Sequence, residues 1–187
     1  MFAIRYLLPY LNPQQGRIVT VASDAHSFGQ LNFFESKLRS TLERRTEVQC
    51  MGSIRTIETC KYFLFSKGLN DELKQFSSVS NNTITSVSLH PGVIGTNLWR
   101  YTPGIVRPLL NIFATDKSPE QGAATSIYAC LVHSNAFEGG EYLRDCQIVE
   151  PLNQYAKDEL KTLRKKLWNV TEKIIKENGF DLPTSLL

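Results

Sequence analysis

Apolar positions along the chain form short, nearly continuous runs separated by longer stretches with helical spacing. Residues 17–22 (RIVTVA) are β-branched and apolar, and 83–89 (TITSVSL) are again rich in β-branched side chains. The first run is typical of a strand buried on both faces, as in a parallel sheet. A shorter strand is predicted over 141–143, directly after Gly139-Gly140.

Helices are predicted between and around these strands, where apolar residues recur every three or four positions. Ser118, Pro119 and Gln121 have the spacing of a capped helix start, and Gly179 is placed to end the last helix. Strands that alternate with helices predict an α/β fold with parallel strands. The predicted helices cover about 2–11, 53–76, 107–113, 119–132 and 153–178.

The composition is that of an ordinary globular protein. Of the 187 residues 42% are hydrophobic and 21% charged, with a net charge of +3. These values exclude a disordered chain, a collagen-like repeat and a disulfide scaffold. No transmembrane segment is predicted, because no apolar run approaches the ~20 residues of a membrane-spanning helix. The first sixteen residues are interrupted by Arg5 and Pro9 and are not expected to act as a signal peptide.

Charge is concentrated near the end of the chain, where 157–177 hold seven basic and four acidic residues. The favoured interpretation is a solvated helix face, with a nucleic-acid or membrane-surface role as the alternative. No nucleic-acid binding is expected, because aromatic residues do not interleave with the basic ones. We therefore divide the chain into a domain over 1–150 and a basic helix and tail over 151–187.

The four cysteines are far apart and only three histidines are present, so no metal site is predicted. The cysteines are interpreted as reduced and structural. This indicates a cytoplasmic location, with association at a membrane surface or lipid droplet left open.

Candidate chemistry follows the two main strands. Ser23-Asp24-Ala25-His26 comes after the first strand, and residues 90–96 (HPGVIGT) come after the second. Ligands of such sheets bind at the carboxyl ends of the strands. A serine-hydrolase triad is not expected from the first cluster, since its members are too close in sequence and no G-x-S-x-G motif occurs.

Four segments, in order, resemble the carboxyl-terminal part of short-chain dehydrogenases/reductases, in the branch of the retinol dehydrogenases and the WW-domain oxidoreductase. The segments are GRIVTVASDAHSFG, VSLHPGVIGTNLWR, SPEQGAATSIYACL and GGEYLRDCQIVEP. The resemblance implies part of a Rossmann-like, doubly wound parallel sheet. It also implies an NAD- or NADP-dependent oxidoreductase of hydrophobic alcohols or carbonyls.

The same resemblance assigns site residues. Ser23 matches the catalytic serine that hydrogen-bonds the substrate oxygen. The loop that lies against the nicotinamide is matched by cofactor-binding candidates at His90, Pro91, Gly92, Val93 and Thr96.

Two departures from the family pattern limit what the resemblance implies. No G-x-G-x-x-G fingerprint occurs, so we expect a carboxyl-terminal half without the nucleotide-binding half. Aligning the apolar run after the family's Tyr-x-x-x-Lys motif places Arg55 at the tyrosine position and Thr59 at the lysine position. An arginine stays protonated and cannot shuttle protons near neutrality, and a threonine carries no charge.

Tyr62 and Lys67 could substitute for that pair, but five residues of helix separate them by about 140°. We therefore expect Tyr62 to pack in the core and Lys67 to point into solvent.

Three hypotheses remain open from the sequence. The first is an oxidoreductase of impaired or conditional activity, for which cofactor binding by the chain alone is in doubt. The second is a non-catalytic interaction module that associates with itself or another chain through an exposed edge over residues 18–21 and through the basic helix. The third is an incomplete gene product.

Overall fold

A computed structural model describes residues 2–24, 62–75, 83–94, 117–151, 157–158 and 161–180. The helix predicted over 107–113 lies outside these residues, as do Thr96, Arg55 and Thr59. The described helices are α1 (Phe2–Leu7), α2 (62–75), α3 (Pro119–Leu131) and α4 (Thr162–Glu177), with short 3-10 turns at Leu8–Tyr10 and Ser134–Ala136. The strands are β1 (Arg17–Val21), β2 (Thr85–His90), β3 (Tyr142–Arg144) and β4 (Gln147–Ile148).

The strands form one sheet in the order β1-β2-β3-β4. β1, β2 and β3 are parallel, with Val19 opposite Val87 and Leu89 opposite Leu143. This confirms the predicted parallel α/β sheet. Among the described residues β1 lies at one edge and has β2 as its only strand neighbour.

β4 was not predicted. It runs antiparallel to β3 across a tight turn at Asp145 and Cys146, whose φ angles are 53° and 59°. Two positive φ angles in a two-residue hairpin loop are the geometry that Asn-Gly sequences usually signal. Asp-Cys lacks that signal, so the sequence pattern did not reveal the strand.

Helices cover both faces of the sheet. Side chains alternate along β2, so successive residues contact helices on opposite faces. Ser86 faces α2, where its hydroxyl lies 2.9 Å from that of Ser66 and its backbone N–H donates to Asn70. Val87 and Leu89 face the other way and pack in a buried cluster with Ala129 of α3. The doubly wound arrangement is therefore confirmed, with α2 on one face and α3 on the other.

The predicted capping box of α3 is confirmed. The Ser118 hydroxyl accepts a hydrogen bond from the backbone of Gln121, whose side chain accepts one from the Ser118 backbone N–H. Gly122, in the first turn, lies so close to Ile94 that a Cβ atom there would come within 1.9 Å of the isoleucine side chain. α3 thus packs directly on the loop that follows β2.

The predicted start of the last helix near Asn153 lies outside the described residues, and the part of this helix that the structure describes, α4, begins at Thr162. Asp158 and Lys161 have positive φ angles of 43° and 57°, which interrupt a helical path. The Asp158 carboxylate accepts hydrogen bonds from the backbone N–H groups of Leu163 and Arg164, so it caps the helix from outside. At the other end Gly179 follows α4 with φ +77°, as expected.

The expectation that Tyr62 packs in the core and that Lys67 points into solvent is wrong. Tyr62 is 50% exposed, and the neighbouring Phe63 is fully buried in its place. Lys67 is half-buried, with its ammonium 4.9 Å from the Phe63 ring centre and 2.9 Å from the Lys157 carbonyl oxygen to which it donates. Here Lys67 links α2 to the segment that precedes α4.

No helix in the described ranges has the length and apolarity to cross a membrane. The same part of the chain holds no cluster of three or more potential metal ligands.

Candidate functional site at the carboxyl edge of the sheet

Because β1, β2 and β3 are parallel, their carboxyl ends meet at one edge of the sheet. The pairing of β1 with β2 continues past Val21, since the Ala22 N–H donates to the Leu89 carbonyl at 2.7 Å. Ser23 therefore lies next to the end of β2, where His90 and Pro91 follow Leu89. The structure brings together the described parts of the two polar clusters that the sequence singled out.

Asp24 is the centre of this edge. Its carboxylate accepts a hydrogen bond of 2.8 Å from the Tyr142 hydroxyl and one of 3.2 Å from the Arg144 guanidinium. The Nε2 atom of His90 lies 3.8 Å from the same carboxylate. Three strand ends are thus held together by one acidic side chain.

Tyr142 and Arg144 were not recognised as site residues from the sequence. The available signal was their spacing, because residues two apart on a strand point to the same face. The predicted strand ended at Leu143, so Arg144 was not placed on it.

Burial of the Tyr142 ring, followed by its hydrogen bond to Asp24, raises the pKa of the hydroxyl. The phenol therefore stays protonated near neutrality and acts as a fixed donor. This environment is unfavourable for a proton-shuttling tyrosine.

Burial lowers the pKa of His90. The largest opposing effect is the negative charge of Asp24, which raises this pKa in part. Its side chain is 8% exposed, and the Nδ1 atom has no hydrogen-bond partner in the described part of the chain. The ring is therefore neutral at neutral pH and lies beneath the edge, where it supports the loop.

The loop after β2 is shaped by a contact between Gly92 and Lys117. Gly92 has φ +94°, and a Cβ atom there would come within 2.7 Å of the Lys117 side chain. The Lys117 ammonium pairs with the Asp145 carboxylate, and this hydrogen bond lowers the pKa of Asp145. Ile94 and Lys117 also form an isolated parallel bridge. Sequence reasoning missed both Lys117 and Asp145.

The candidate cofactor residues differ in how they are presented. Val93 is 43% exposed, and Pro91 and Gly92 are half-buried, so this stretch offers an apolar side chain and backbone at the surface. Such a surface fits one face of a flat nicotinamide ring. The His90 ring is buried, and the charge of Lys117 is already matched by Asp145.

Comparisons with known proteins agree with one another. The chain is 32% identical to human retinol dehydrogenase 14 over 165 residues, covering 85% of this chain and 44% of that protein. It is 31% identical to the chloroplastic short-chain dehydrogenase TIC 32 A of Brassica napus, covering 86% and 47%. It is 32% identical to the WW domain-containing oxidoreductase of Gallus gallus, covering 86% and 37%. No protein-family model matches the chain.

The chain spans about half the length or less of these relatives. A crystal structure of an uncharacterised protein from Mycobacterium Paratuberculosis superposes with a TM-score of 0.57 at 23% identity. That match covers 92% of this chain and 53% of the other, and it shows the shared fold.

Proposed function

This chain is a homologue of the short-chain dehydrogenases/reductases, and we propose that it forms the substrate-facing part of a nicotinamide-dependent oxidoreductase site. The substrate class is a hydrophobic alcohol or carbonyl compound, and the cofactor is NAD or NADP. We further propose that these 187 residues do not transfer hydride by themselves. The relatives' names support the reaction class, while the details below rest on the chain's own residues.

The observation that carries the proposal is the adjacency of Ser23 and the 91–93 loop at the carboxyl edge of β1 and β2. In the proposed site the Ser23 hydroxyl orients the substrate oxygen. Pro91, Gly92 and Val93 lie against the nicotinamide ring, which supplies or accepts the hydride when bound. Thr96 is assigned to the same loop by resemblance.

The contacts of two described side chains support the proposed lack of a proton-handling tyrosine and lysine. Arg55 and Thr59 occupy those positions in the sequence alignment. The Tyr142 hydroxyl is committed to Asp24 and its pKa is raised. Lys67 donates to the Lys157 carbonyl, which supports a structural role for its ammonium.

The test combines a binding measurement with an activity measurement. NADPH and NADH are titrated into the purified chain while nicotinamide fluorescence is followed, and reduction of a long-chain aldehyde is assayed in parallel. We expect no turnover. Aldehyde reduction at an ordinary enzymatic rate would contradict the proposed impairment.

The loop assignment has its own control. Any cofactor binding that is detected, however weak, is expected to be lost in Val93→Glu, which places a charge on the proposed nicotinamide surface. Exposed Ile127→Glu, on α3, is the matched control. Equal binding by the two variants would overturn the role of the 91–93 loop.

A second candidate function, a non-catalytic interaction module, is favoured by the edge position of β1. Within the described ranges only β2 pairs with β1, and Val21 is 56% exposed. An open strand edge can pair with a strand of another chain, including a second copy.

This candidate is tested by light scattering after size-exclusion chromatography. Self-association that Val21→Lys reduces would support it, because a charged side chain blunts an edge. A wild-type chain that stays monomeric at high concentration would contradict association between copies.

A further inference from the structure

We propose that the exposed face of α4 binds the anionic surface of a lipid membrane. The helix carries five basic and two acidic residues. At about 100° per residue, four of its lysines fall within an arc of about 100° on the side opposite Leu167. The arc holds Lys165, Lys166, Lys173 and Lys176, together with the uncharged Thr162 and Asn169, and we call it the lysine face.

Acidic residues lie only at the margins of the lysine face. By the same angular count Glu172 falls just beyond Lys165, and Glu177 falls just beyond Lys166. The Lys173 ammonium is 4.0 Å from the Glu177 carboxylate, and both side chains are more than a third exposed. Water screens such an exposed pair strongly, so the pair itself is weak.

The opposite side of α4 is anchored to α2, which fixes the direction of the lysine face. Trp168 is 7% exposed, and its ring stacks on Phe65 with 5.7 Å between ring centres. Arg164 lies 11% exposed and pairs with Asp71 of α2 at 3.0 Å. All four lysines of the face are exposed, so the packed helix presents them together to solvent.

The positive surface continues beyond the helix itself. A groove of about 830 Å³ runs between α2 and the start of α4, and Lys74 and Lys161 line it together with Lys165 and Lys166. The acidic residues of the groove include Asp71, which is matched by Arg164, and Glu72. The groove thus extends the cationic surface.

An exposed aromatic residue lies at the carboxyl end of the same helix. Phe180 is 52% exposed and follows the turn that Gly179 makes at the end of α4. Clustered lysines on an exposed helix face attract the anionic headgroups of a bilayer, and each lysine near the surface adds to the attraction. Nucleic acid fits less well, because no aromatic residues alternate with the lysines of the face.

The experiment is co-sedimentation of the full chain with vesicles of phosphatidylcholine, with and without phosphatidylserine. We expect binding only when phosphatidylserine is present, with affinity that falls as salt is added. Replacing all four lysines of the face by glutamine is expected to weaken binding at least about tenfold.

Two matched variants separate charge from other effects. Replacing the same four lysines by arginine retains binding, because the charge is kept. Glu172→Gln with Glu177→Gln strengthens binding, since marginal negative charge is removed. Circular dichroism is the control that checks whether every variant is folded.

The proposal is overturned if the wild-type chain fails to bind anionic vesicles at low salt, if it binds neutral vesicles equally well, or if the glutamine variant binds like the wild type. Tighter binding to duplex DNA or single-stranded RNA than to anionic vesicles, at the same salt, would also overturn it. The outcome does not depend on the proposed oxidoreductase function.

Discussion

Tyr142 donates a hydrogen bond of 2.8 Å to the carboxylate of Asp24, a residue 118 positions earlier in the chain. The bond joins the first residue of β3 to the segment after β1, and Arg144 reinforces it on the second carboxylate oxygen. Asp24, directly after Ser23, is therefore fixed by the last parallel strand of the described sheet.

Removing this hydroxyl in Tyr142→Phe is expected to lower the free energy of unfolding by about 1 to 2 kcal/mol, because a partly buried charge-assisted bond is lost. Urea denaturation measures the change. The matched control is Tyr62→Phe, at a position 50% exposed, which should change stability by less than about 0.5 kcal/mol. Equal effects of the two substitutions would contradict the assigned role of the bond.

The buried ring of His90 should make stability depend on pH. Its pKa in the folded chain is lowered from 6.5 by burial, so the unfolded chain binds the proton more readily. The contribution of His90 to stability is therefore complete above about pH 6.5 and is lost as the pH falls below it. Urea denaturation across this range should show a steeper loss in the wild type than in His90→Asn.

Several charged groups modify this effect without changing its direction. Asp24 and Asp145 favour the protonated ring, while Lys117 and Arg144 oppose it. Parallel pH dependence in the wild type and His90→Asn would show that the ring does not titrate as proposed.

Arg17 is expected to stabilise the carboxyl end of α3. Its guanidinium donates to the carbonyl oxygens of Ala129, Val132 and His133, and it lies 4.6 Å from the ring centre of Phe137. Arg17→Met should lower the free energy of unfolding by about 2 kcal/mol, because three carbonyls lose a charged donor. The stability of Arg17→Lys should lie between those of the wild type and Arg17→Met, since an ammonium keeps the charge but cannot replace the planar guanidinium. If Arg17→Met and Arg17→Lys were equally stable in thermal unfolding, this role of the guanidinium would be contradicted.

Alanine substitutions at Gly92 and Gly179 separate the cost of backbone strain from the cost of crowding around an added Cβ atom. Both have positive φ angles, but a Cβ atom at Gly92 would meet Lys117, whereas one at Gly179 would have no neighbouring atom within 4 Å. Alanine should cost about 1 to 2 kcal/mol at Gly179 from strain alone. Gly92→Ala should cost more, because the lysine side chain must also move. A smaller loss at Gly92, in urea denaturation, would contradict the contact.

Lys67 is expected to act in folding and not in proton transfer. Lys67→Met should lower the free energy of unfolding by about 1 kcal/mol through loss of the bond to the Lys157 carbonyl. Lys165→Met, on the exposed face of α4, is the matched control and should have little effect on unfolding. If Lys67→Met instead left stability unchanged and abolished cofactor binding, the structural assignment would be wrong.

The local features of the fold were predictable where one short segment decides the outcome. The three parallel strands, the capping box at Ser118 and the helix end at Gly179 follow from residues within a few positions of each other. The interruption before α4 was missed, because helix propensity does not register the positive φ angles at Asp158 and Lys161.

Helix spacing alone misplaced Tyr62 and Lys67. Pattern reasoning buries the aromatic residue and exposes the charged one, but in α2 the ring of Phe63 takes the core position beside Tyr142. Lys67 is half-buried where the Lys157 carbonyl accepts its hydrogen bond. Neither partner can be inferred from the sequence around α2.

The sequence by itself determined the α/β class, the order of the parallel strands along the chain and the polar residues that follow β1 and β2. Each depends on side-chain periodicity or on a local turn. Only the tertiary structure decided which residues meet Asp24, which ring is buried beneath the loop and which face of α4 points outward. These depend on strand register and helix packing, because they join residues far apart in the chain or set one helix against another.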